Sequence, residues 1–497
     1  MRCMFKSRDP RRLLCWLCCV PLAAALGGCG GDEAPQEPVA NDLGQPFVTD
    51  QEGGVLILHG ANMSNAAKST PYLPDYSEQE VTRLSSDWGF NFARFLLSWS
   101  GVEPKAGEYD MAYLDRVEQA LDAYHAAGIH VLLDMHQDVF SEFICGNGAP
   151  EWAVRTDGEA VECPSKWFLG YLQPGVQRAF DNFWSTSGPH ADVQAHYVEM
   201  WAAVVKRLKD HPAVIGYDIM NEPHPGSDFD ALEALGVDSP NGPSPGFDRD
   251  KLQPFYQRVI NRIREEDENH WIAFEPRYGA PSTGLASYFT GLDDPRSGPP
   301  RLLYAPHLYS IQLENSGVFD PEADHTVKNW EQHRQAENQL LGTALVAGEW
   351  GLDPASEKAE LFFRQVLEAS DRLMAGWAYW DYRDGGWSWL NADGSERAIA
   401  GELVRTYPQR IAGVPKSYSY NAETRVFTLV YADDPSVSGT TQIYVPAARH
   451  YPAGWELQVS DADGTWSSEW DSVREVLSLT TPASSGEHTV TIQPTLK

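Results

Sequence analysis

The chain has 497 residues, of which 42% are hydrophobic and 11% aromatic, so it can bury a large core and is longer than one typical domain. Its formal net charge of -32 argues against a nucleic-acid groove, because phosphate contacts are made largely by Lys and Arg. The composition therefore predicts one large and one small domain, and it suits a neutral or apolar substrate better than a nucleic acid. An acidic surface that keeps the protein soluble is the simpler explanation of the charge.

Residues 1–28 have the pattern of an export signal and are left out of the fold. A basic segment is followed by an apolar stretch, residues 13–26, that is too short to span a bilayer comfortably. The string Leu26-Gly27-Gly28-Cys29 resembles a bacterial lipobox, in which the Cys becomes the lipidated first residue. An ordinary cleaved signal peptide with an incidental Cys29 is the alternative. Either pattern predicts an exported protein, in the cell envelope or secreted, with residues 29–46 as a disordered tether.

From about residue 55 to 405, short apolar runs alternate with longer amphipathic stretches, which is typical of repeated βα units. The runs predict strands at Val55–His59, Asn91–Leu96, His130–Asp134, Val214–Met220, Trp271–Phe274, Leu302–Ala305, Ala344–Ala347 and Ala375–Tyr379. Helical periodicity lies between them, for example at Met111–Ala127 and Val193–Leu208. Eight such units predict an α/β fold, a (β/α)8 TIM barrel over residues 47–407, with the active site at the C-terminal ends of the strands.

Three strand-to-helix loops are long: residues 137–175, 223–249 and 291–300. Loops of this length in a compact domain are usually functional or disordered, and on this face of a barrel they would wall a cleft. The first loop carries Cys145 and Cys163, the two of the seven Cys residues that lie after Cys29. In an oxidising compartment they predict a disulfide. Neither lies in a nucleophile motif, and no metal-binding Cys and His spacing is present, so neither a catalytic thiol nor a metal is expected.

After Tyr407-Pro408 the pattern changes to short alternating segments separated by turn residues. They lie at Arg425–Tyr431, Thr441–Val445, Trp455–Ser460 and His488–Ile492. This spacing predicts a small antiparallel β-sandwich over residues 408–497. The pattern fits a structural cap on the barrel or a module that contacts carbohydrate or membrane.

Two carboxylates follow predicted strands four and seven. Glu222 lies in an Asn-Glu-Pro string, and Glu349 lies between Gly348 and Trp350. Glycosidic bond cleavage requires such a pair, one as proton donor and one as nucleophile or base. The amide of Asn221 can donate to a sugar hydroxyl, so we assign Glu222 as general acid/base and Glu349 as nucleophile. A lone Glu-Pro is more often a capping or salt-bridged residue, and Glu275-Pro276 is interpreted in that way.

Other residues at the ends of predicted strands suit supporting roles; they are Arg94, His136, His307, Tyr309 and Trp380. Arg94 is surrounded by apolar residues, and we expect it to hold Glu349 ionised through a bidentate contact. A phenol near the nucleophile can orient it, and an aromatic face at the end of strand eight can form the floor of a sugar site. Three residues before Trp380, Trp377 is expected in the core.

In order and in strand position, this set resembles the functional set of glycoside hydrolase family 5: Arg94, His136, Asn221-Glu222-Pro223, His307, Tyr309, Glu349 and Trp380. The resemblance covers roughly residues 50–405. It implies a retaining double displacement without a cofactor, through a glycosyl intermediate on Glu349. It also implies that the two carboxyl groups lie about 5–5.5 Å apart.

Within the family, the chain is most similar to the endoglycoceramidases, on strings within residues 134–141, 146–150, 179–184 and 348–351. This implies a glycosphingolipid substrate cleaved between oligosaccharide and ceramide. It also implies substrate contacts by Lys68, Asp138 and Trp184.

Apolar residues of the first long loop would suit an amphipathic glycolipid, although ordinary loop anchoring explains them equally well; they are Trp152, Trp167, Phe168, Tyr171 and Leu172. A lipid on Cys29 would hold the enzyme at a membrane surface, where such substrates are met.

Two other functions fit parts of this pattern. A related family 5 β-glycosidase, such as a β-glucosylceramidase, an endogalactosylceramidase or an endo-β-glucanase, would share the barrel and both carboxylates, and a soluble glucanase would be expected to have an open polar cleft lined with Trp. A non-catalytic glycolipid-binding lipoprotein would be expected to lack a carboxylate or the supporting Arg. Glu222, Glu349 and Arg94 are all present, which favours an enzyme.

Overall fold

The computed structural model describes residues 45–231, 246–382, 386–482 and 486–495. The predicted export signal, Cys29 and all but the last two residues of the predicted tether lie outside these ranges. All described residues belong to one compact unit. No helix within the described ranges is long and apolar enough to cross a membrane.

A two-residue strand, β1 (Val55–Leu56), precedes the barrel. Among the described residues, eight parallel strands then close into a barrel in chain order: β2 His59–Met63, β3 Phe92–Leu97, β4 His130–Met135, β5 Val214–Asp218, β6 Trp271–Phe274, β7 Leu302–Tyr304, β8 Ala344–Trp350 and β9 Gly376–Tyr379. The predicted (β/α)8 barrel is therefore confirmed, and it brings the ends of all eight strands to one face.

The predicted first strand, Val55–His59, is wrong. Only Val55–Leu56 is a strand there, and it pairs antiparallel with a strand of the C-terminal region. The barrel begins at His59, and its first strand has the weakly apolar sequence His-Gly-Ala-Asn-Met. A Cβ on Gly60 would lie 1.8 Å from the carbonyl oxygen of Phe92, so close strand packing requires glycine there. Hydrophobicity alone therefore pointed to the wrong segment.

The helices of the described residues are α1 Glu78–Ser86, α2 Trp99–Val102, α3 Met111–Ala126, α4 Pro174–Trp184, α5 Ala191–Leu208, α6 Gln253–Arg264, α7 Ile311–Ser316, α8 Thr326–Leu341, α9 Ala359–Leu373, α10 Ala400–Leu403 and α11 Ala447–His450. Local sequence fixes their ends: Ser77 and Glu80 form a capping box at the start of α1. The apolar stripe of α3 is buried against the barrel, as its 3.6-residue period predicts.

The C-terminal strands are β10 Tyr407–Ile411, β11 Val414–Tyr420, β12 Phe427–Ala432, β13 Thr441–Tyr444, β14 Trp455–Val459, β15 Ser467–Asp471, β16 Val476–Thr480 and β17 Glu487–Pro494. In the described part of the chain they form two antiparallel sheets, ordered β1-β10-β13-β16-β15 and β11-β12-β17-β14. The predicted change of fold after the barrel is confirmed. The predicted boundary at residue 408 falls inside β10, and β1 belongs to this region although it precedes the barrel.

The C-terminal sheets contact the barrel at the end where its strands begin. The Tyr407 ring stacks on His59, the first residue of β2, with centroids 3.7 Å apart. The Tyr407 hydroxyl donates to the carbonyl of Gly89, just before β3, at 2.8 Å. Arg405 forms a buried ion pair with Asp371 near the end of α9. This is the opposite end from the strand termini that carry the predicted catalytic residues, and the contacts fit the structural cap.

Candidate active site

Arg94, in the middle of β3, is fully buried and connects the ends of several strands. Its Nη1 donates to Oε1 of Glu349 at 2.6 Å, so the pair predicted from the sequence is present, but the contact uses one nitrogen and one oxygen and the predicted bidentate geometry is wrong. Its other nitrogens form ion pairs with Asp134, Asp218 and Glu275, all at 2.8 to 2.9 Å. Burial acts to lower the pKa of Arg94, but these carboxylates raise it well above its usual range. Arg94 is therefore a permanent cation beside the predicted nucleophile.

Glu349 lies near the end of β8 with both carboxylate oxygens bound. Oε1 accepts from Arg94, and Oε2 accepts from the Tyr309 hydroxyl at 2.9 Å. Tyr309 follows β7, which neighbours β8, whereas Arg94 lies on β3, so two separate parts of the barrel hold the carboxylate. Donors to both oxygens fix its orientation, as a nucleophile requires.

Glu222 follows β5 and has different surroundings. Oε1 of Glu222 lies 3.0 Å from Nδ1 of His307, which follows β7. Burial raises the pKa of Glu222, the hydrogen bond and charge of His307 oppose this, and the negative charges of Glu349 and Glu275 add to the rise. A carboxyl group with a raised pKa keeps its proton to higher pH, which suits a proton donor.

The spacing of the two carboxylates fits the retaining mechanism. One oxygen of Glu222, one of Glu349 and one nitrogen of His307 all lie within 4.8 Å of one another. Retaining enzymes place their carboxyl groups about 5–5.5 Å apart, whereas inverting enzymes leave about 6.5–9.5 Å for a water molecule. The approach of one oxygen of each group to within 4.8 Å is on the retaining side of this difference, and the separation of 5–5.5 Å between the two carboxyl groups stays a prediction.

A second polar group lies beside the carboxylates and joins four of the predicted substrate-binding residues. Lys68 Nζ binds Asp138 at 2.8 Å and lies 4.4 Å from the ring centroid of Trp380. The Trp380 ring stacks on His136, whose Nε2 lies 3.4 Å from Asp138. Burial raises the pKa of Asp138, but Lys68 and His136 together hold it well below its usual range. The group offers charged donors and acceptors next to an aromatic face.

A cleft of about 570 Å³ joins these polar residues to an apolar wall. Four neighbouring side chains of a short helical turn in the first long loop line it and are also well exposed: Trp167 (52%), Phe168 (43%), Leu169 (37%) and Leu172 (46%). Exposed apolar residues in one patch usually mark a binding surface. The cleft therefore has a charged part and an apolar part, as the loop composition predicts.

The predicted disulfide is present and lies at the base of this loop. Cys145 and Cys163 are bonded, with Cα atoms 5.2 Å apart. Asn147 donates to Asp138 at 2.8 Å, and their backbones also form an isolated bridge. The loop thus positions part of the polar group and also carries the apolar wall.

Three aromatic residues expected near the substrate are instead packed inside the protein. Trp184 is only 5% exposed; its ring contacts Phe183 and Phe255, and its Nε1 donates to the carbonyl of His224. The prediction that Trp184 stacks on the substrate is therefore wrong. Tyr171 is buried and Trp152 is packed against the core, so these two anchor the loop. Trp377 is buried as expected.

Asn221 uses its amide within the protein. Its Oδ1 accepts from Arg94 at 2.9 Å, and its Nδ2 donates to the carbonyl of Gln137 at 2.9 Å. These bonds fix the residue before Glu222, and its contact with a sugar hydroxyl stays a prediction.

Sequence reasoning missed Asn62, Asp134 and Asp218, and it left Glu275 outside the site. Glu275 is salt-bridged, as the Glu-Pro string led us to expect, but its partner is Arg94, which lies inside the site. Asp134, Asp218 and Glu275 all lie at or just after the ends of β4, β5 and β6, which is the signal that could have identified them. In the part of the chain that the structure describes, two groups could offer metal ligands: Asp134 with Asp218 and Glu275, and Glu222 with His307 and Glu349. In the first group, the Arg94 guanidinium already binds all three carboxylates. In the second group, His307 lies within 3.5 Å of both Glu222 and Glu349.

A family model described as cellulase, glycosyl hydrolase family 5, matches residues 56–386, more than half of the chain. The chain belongs to glycoside hydrolase family 5. A second model, the family 5 C-terminal domain, matches residues 405–492. This family 5 member is accordingly a glycoside hydrolase.

Several proteins are similar over most of this family 5 chain. Endoglycoceramidase I of Rhodococcus hoagii is 29% identical over 433 residues, which cover 84% of this chain and 82% of the relative. The ganglioside GM3 complex of endo-glycoceramidase II from Rhodococcus sp. is 35% identical with a TM-score of 0.83, covering 91% of this chain and 100% of that chain. The lactosyl-enzyme intermediate of that enzyme is 35% identical with a TM-score of 0.81 and the same coverage.

Proposed function

We propose that this enzyme hydrolyses the β-glycosidic bond between the oligosaccharide and the ceramide of glycosphingolipids, releasing intact glycan and ceramide. The observation that carries the proposal is the cleft, in which Glu222 and Glu349 lie between a charged group and an exposed apolar wall. The similarity to endoglycoceramidases, including one in complex with ganglioside GM3, supports the same substrate class.

In the first step the ionised Glu349 attacks the anomeric carbon of the sugar next to ceramide. Arg94 and Tyr309 hold its two oxygens, so little reorganisation precedes attack. The bond to the ceramide oxygen breaks as Glu222 gives that oxygen its proton. Ceramide leaves as a neutral alcohol, and the glycan is held as an ester on Glu349.

In the second step the ionised Glu222 takes a proton from water, and the resulting hydroxide oxygen displaces Glu349 from the anomeric carbon. His307, at 3.0 Å from Glu222, stabilises the carboxylate that forms when the proton has left. The anomeric carbon is inverted twice, so configuration is retained. Both carboxyl groups return to their starting protonation states.

The two parts of the cleft match the two parts of such a substrate. The group of Lys68, Asp138, His136 and Trp380 supplies hydrogen bonds for sugar hydroxyls and an aromatic face for the apolar side of a sugar ring. The exposed apolar turn suits ceramide chains, since burying each methylene stabilises binding by about 0.8 kcal/mol. A purely polar glucan would leave that turn in contact with water.

We also propose that the protein is exported and carries a lipid on Cys29, which would bring it to the membrane surface where glycosphingolipids lie. The lipobox-like string before Cys29 and the disulfide between Cys145 and Cys163 support an oxidising compartment outside the cytoplasm. Labelling of cells with a radioactive fatty acid tests this. The wild-type precursor should incorporate label and Cys29→Ala should not; label on the variant would overturn the proposal.

The substrate is tested by mass spectrometry of the products after incubation, with detergent, with a ganglioside, glucosylceramide, a 6-galactosylceramide-series glycolipid and a soluble β-glucan. Intact oligosaccharide plus free ceramide from the ganglioside is the expected result. Release of a monosaccharide alone, or cleavage of the glucan alone, would overturn the lipid specificity. Glu349→Ala, prepared in the same way, controls for contaminating hydrolases.

A further inference from the structure

We propose that Glu275 is a positioning residue that holds Glu222 and His307 in their reactive arrangement. The proposal rests on the assignment of Glu222 as general acid/base, and it does not depend on the lipid specificity. Glu275 follows β6 directly, precedes Pro276 and is 1% exposed. A buried carboxylate requires partners, and those of Glu275 define what it does.

Each oxygen of Glu275 contacts a different part of the catalytic apparatus. Oε2 accepts from the backbone N–H of Glu222 at 2.8 Å. Oε1 accepts from Nη2 of Arg94 at 2.8 Å and lies 3.2 Å from Nε2 of His307. One carboxylate therefore contacts the acid/base backbone, its imidazole partner and the cation that binds the nucleophile.

The backbone of Glu222 needs such support. Its φ of +42° lies in the left-handed region, which residues with a side chain adopt only when their surroundings hold them there. Glu275 binds the N–H of Glu222, and Gln137 Nε2 donates to its carbonyl at 3.0 Å. Tyr256 donates to the carbonyl of Glu275 at 2.9 Å and fixes Glu275 in turn. Glu222 is thus directed toward Glu349 by bonds to its backbone on both sides.

Glu275 also gives His307 a second anion. The buried imidazole has Glu222 and Glu349 near Nδ1, at 3.0 and 3.5 Å, and Glu275 near Nε2. Burial acts to lower the pKa of His307, but the charges of Glu275 and Glu349 raise it well above its usual range. The ring is held between carboxylates on two sides, with its Nδ1 toward Glu222.

The contacts of Arg94 show why Glu275 should affect the acid more than the nucleophile. When Glu275 is changed, Arg94 keeps Asp134, Asp218 and Asn62 as partners. We therefore expect the hydrogen bond from Arg94 to Glu349 to remain. Asp218 provides a control for the loss of an Arg94 partner, and it differs from Glu275 in that burial and the charge of Glu275 raise its pKa well above its usual range. It is a fully buried carboxyl group at the end of the neighbouring strand that binds Arg94 at 2.9 Å, and within the described residues no hydrogen bond joins it to Glu222 or His307.

The test compares kcat/KM for two aryl β-glycosides, one with a dinitrophenol leaving group that needs no proton and one with phenol, which does. Because kcat/KM reports the first step, the role of Glu222 as base in the second step does not enter. Glu275→Gln should lose about 10²-fold on the phenyl glycoside, at the low end of general acid catalysis, and much less on the dinitrophenyl glycoside. Asp218→Asn should lower both values by the same factor.

The ratio of kcat/KM for the phenyl glycoside to kcat/KM for the dinitrophenyl glycoside does not depend on what fraction of a variant is folded. Partial misfolding therefore leaves the test valid. Glu275→Asp, which restores the charge on a shorter side chain, should recover part of the ratio. An unchanged ratio in Glu275→Gln, or an equal change in Asp218→Asn, would overturn the proposal.

Discussion

Glu222 and Glu349 are chemically identical side chains whose neighbours give them different tasks. Glu349 has a cation and a phenol on its two oxygens. Glu222 is buried beside other carboxylates, and its cationic partner is the imidazole of His307. Burial and like charges favour the protonated form, whereas Arg favours the ionised form, so the same residue type serves as acid in one place and nucleophile in the other.

The raised pKa of Glu222 predicts the basic limb of the pH profile. The acid form carries the first step, so kcat/KM for a poor leaving group should fall as pH rises through the pKa of Glu222. In Glu222→Gln, assayed with the same poor-leaving-group substrate, the residual rate should lack this limb because residue 222 no longer titrates. Rate profiles over pH measure both, and an unchanged limb in the variant would contradict the assignment.

Glu349 should become covalently labelled during turnover. A 2-fluoro glycoside with a good leaving group forms the glycosyl-enzyme quickly and releases it slowly, so peptide mass spectrometry should find the sugar on Glu349. Glu222→Gln should still be labelled. Glu349→Ala should lose both label and turnover, and substantial turnover in that variant would remove the nucleophile assignment.

The separate site residues were largely predictable, because most of them lie near or just after the end of a strand of a recognisable barrel. The contacts between them were not, since the bonds of Glu275 to Glu222 and Arg94 depend on how strands β3, β5 and β6 are staggered in the barrel. Trp184 was misjudged although its sequence carried the signal. It lies in α4 with Phe180 and Phe183, at helical spacings of one buried face.

At the scale of elements, the loop between β4 and α4 combines rigidity with an exposed apolar surface. The disulfide closes a loop with a sequence separation of 18, and the apolar turn Trp167–Leu172 follows it within a few residues. A constrained loop can present apolar side chains to a ligand without a large ordering cost on binding.

Removing that apolar surface should weaken the use of lipid substrates selectively. The double variant Trp167→Ser, Leu172→Ser should lower kcat/KM for a long-chain glycosphingolipid by about 10-fold or more, since about 1.4 kcal/mol of lost binding corresponds to tenfold. An aryl glycoside should be turned over normally. Leu340→Ser, at a 67% exposed position on α8, is the control. Equal losses on both substrates would contradict the role of the wall.

Opening the disulfide should destabilise the loop. The Cys145→Ser, Cys163→Ser variant is expected to lose about 3 kcal/mol of unfolding free energy, the loop-entropy value for a ring of this size. Urea unfolding measures the loss, and limited proteolysis should cut within residues 145–172 first. A variant that matches the wild type in both assays would indicate that packing alone holds the loop.

Among the elements, the strands with long apolar runs were predicted well and the others were not. The first barrel strand was missed because it is built from Gly60 and the polar Asn62, which serve close packing and hydrogen bonding. Strand β15, Ser-Ser-Glu-Trp-Asp, is largely exposed on both faces and so lacks the alternation that identifies a half-buried strand.

For the whole molecule, the attachment of the C-terminal sheets at the far end of the barrel separates stability from catalysis. Tyr407→Ala removes the ring stacked on His59 and the bond to Gly89, and should lower stability by about 3 kcal/mol. The kcat/KM per active site, counted by labelling of Glu349, should stay unchanged. Thermal unfolding and titrated kinetics measure the two effects, and altered specificity would favour a carbohydrate-contacting module instead.

The pairing of β1 with β10 has a consequence for how the chain acquires its structure. Val55 lies opposite Ile411, so one of the earliest strands to be synthesised has its partner among the last quarter of the residues. When synthesis reaches the end of the barrel, β10, which pairs with β1, has not yet been made. The two strands can pair only after residue 411 has emerged from the ribosome. Such distant pairing slows folding.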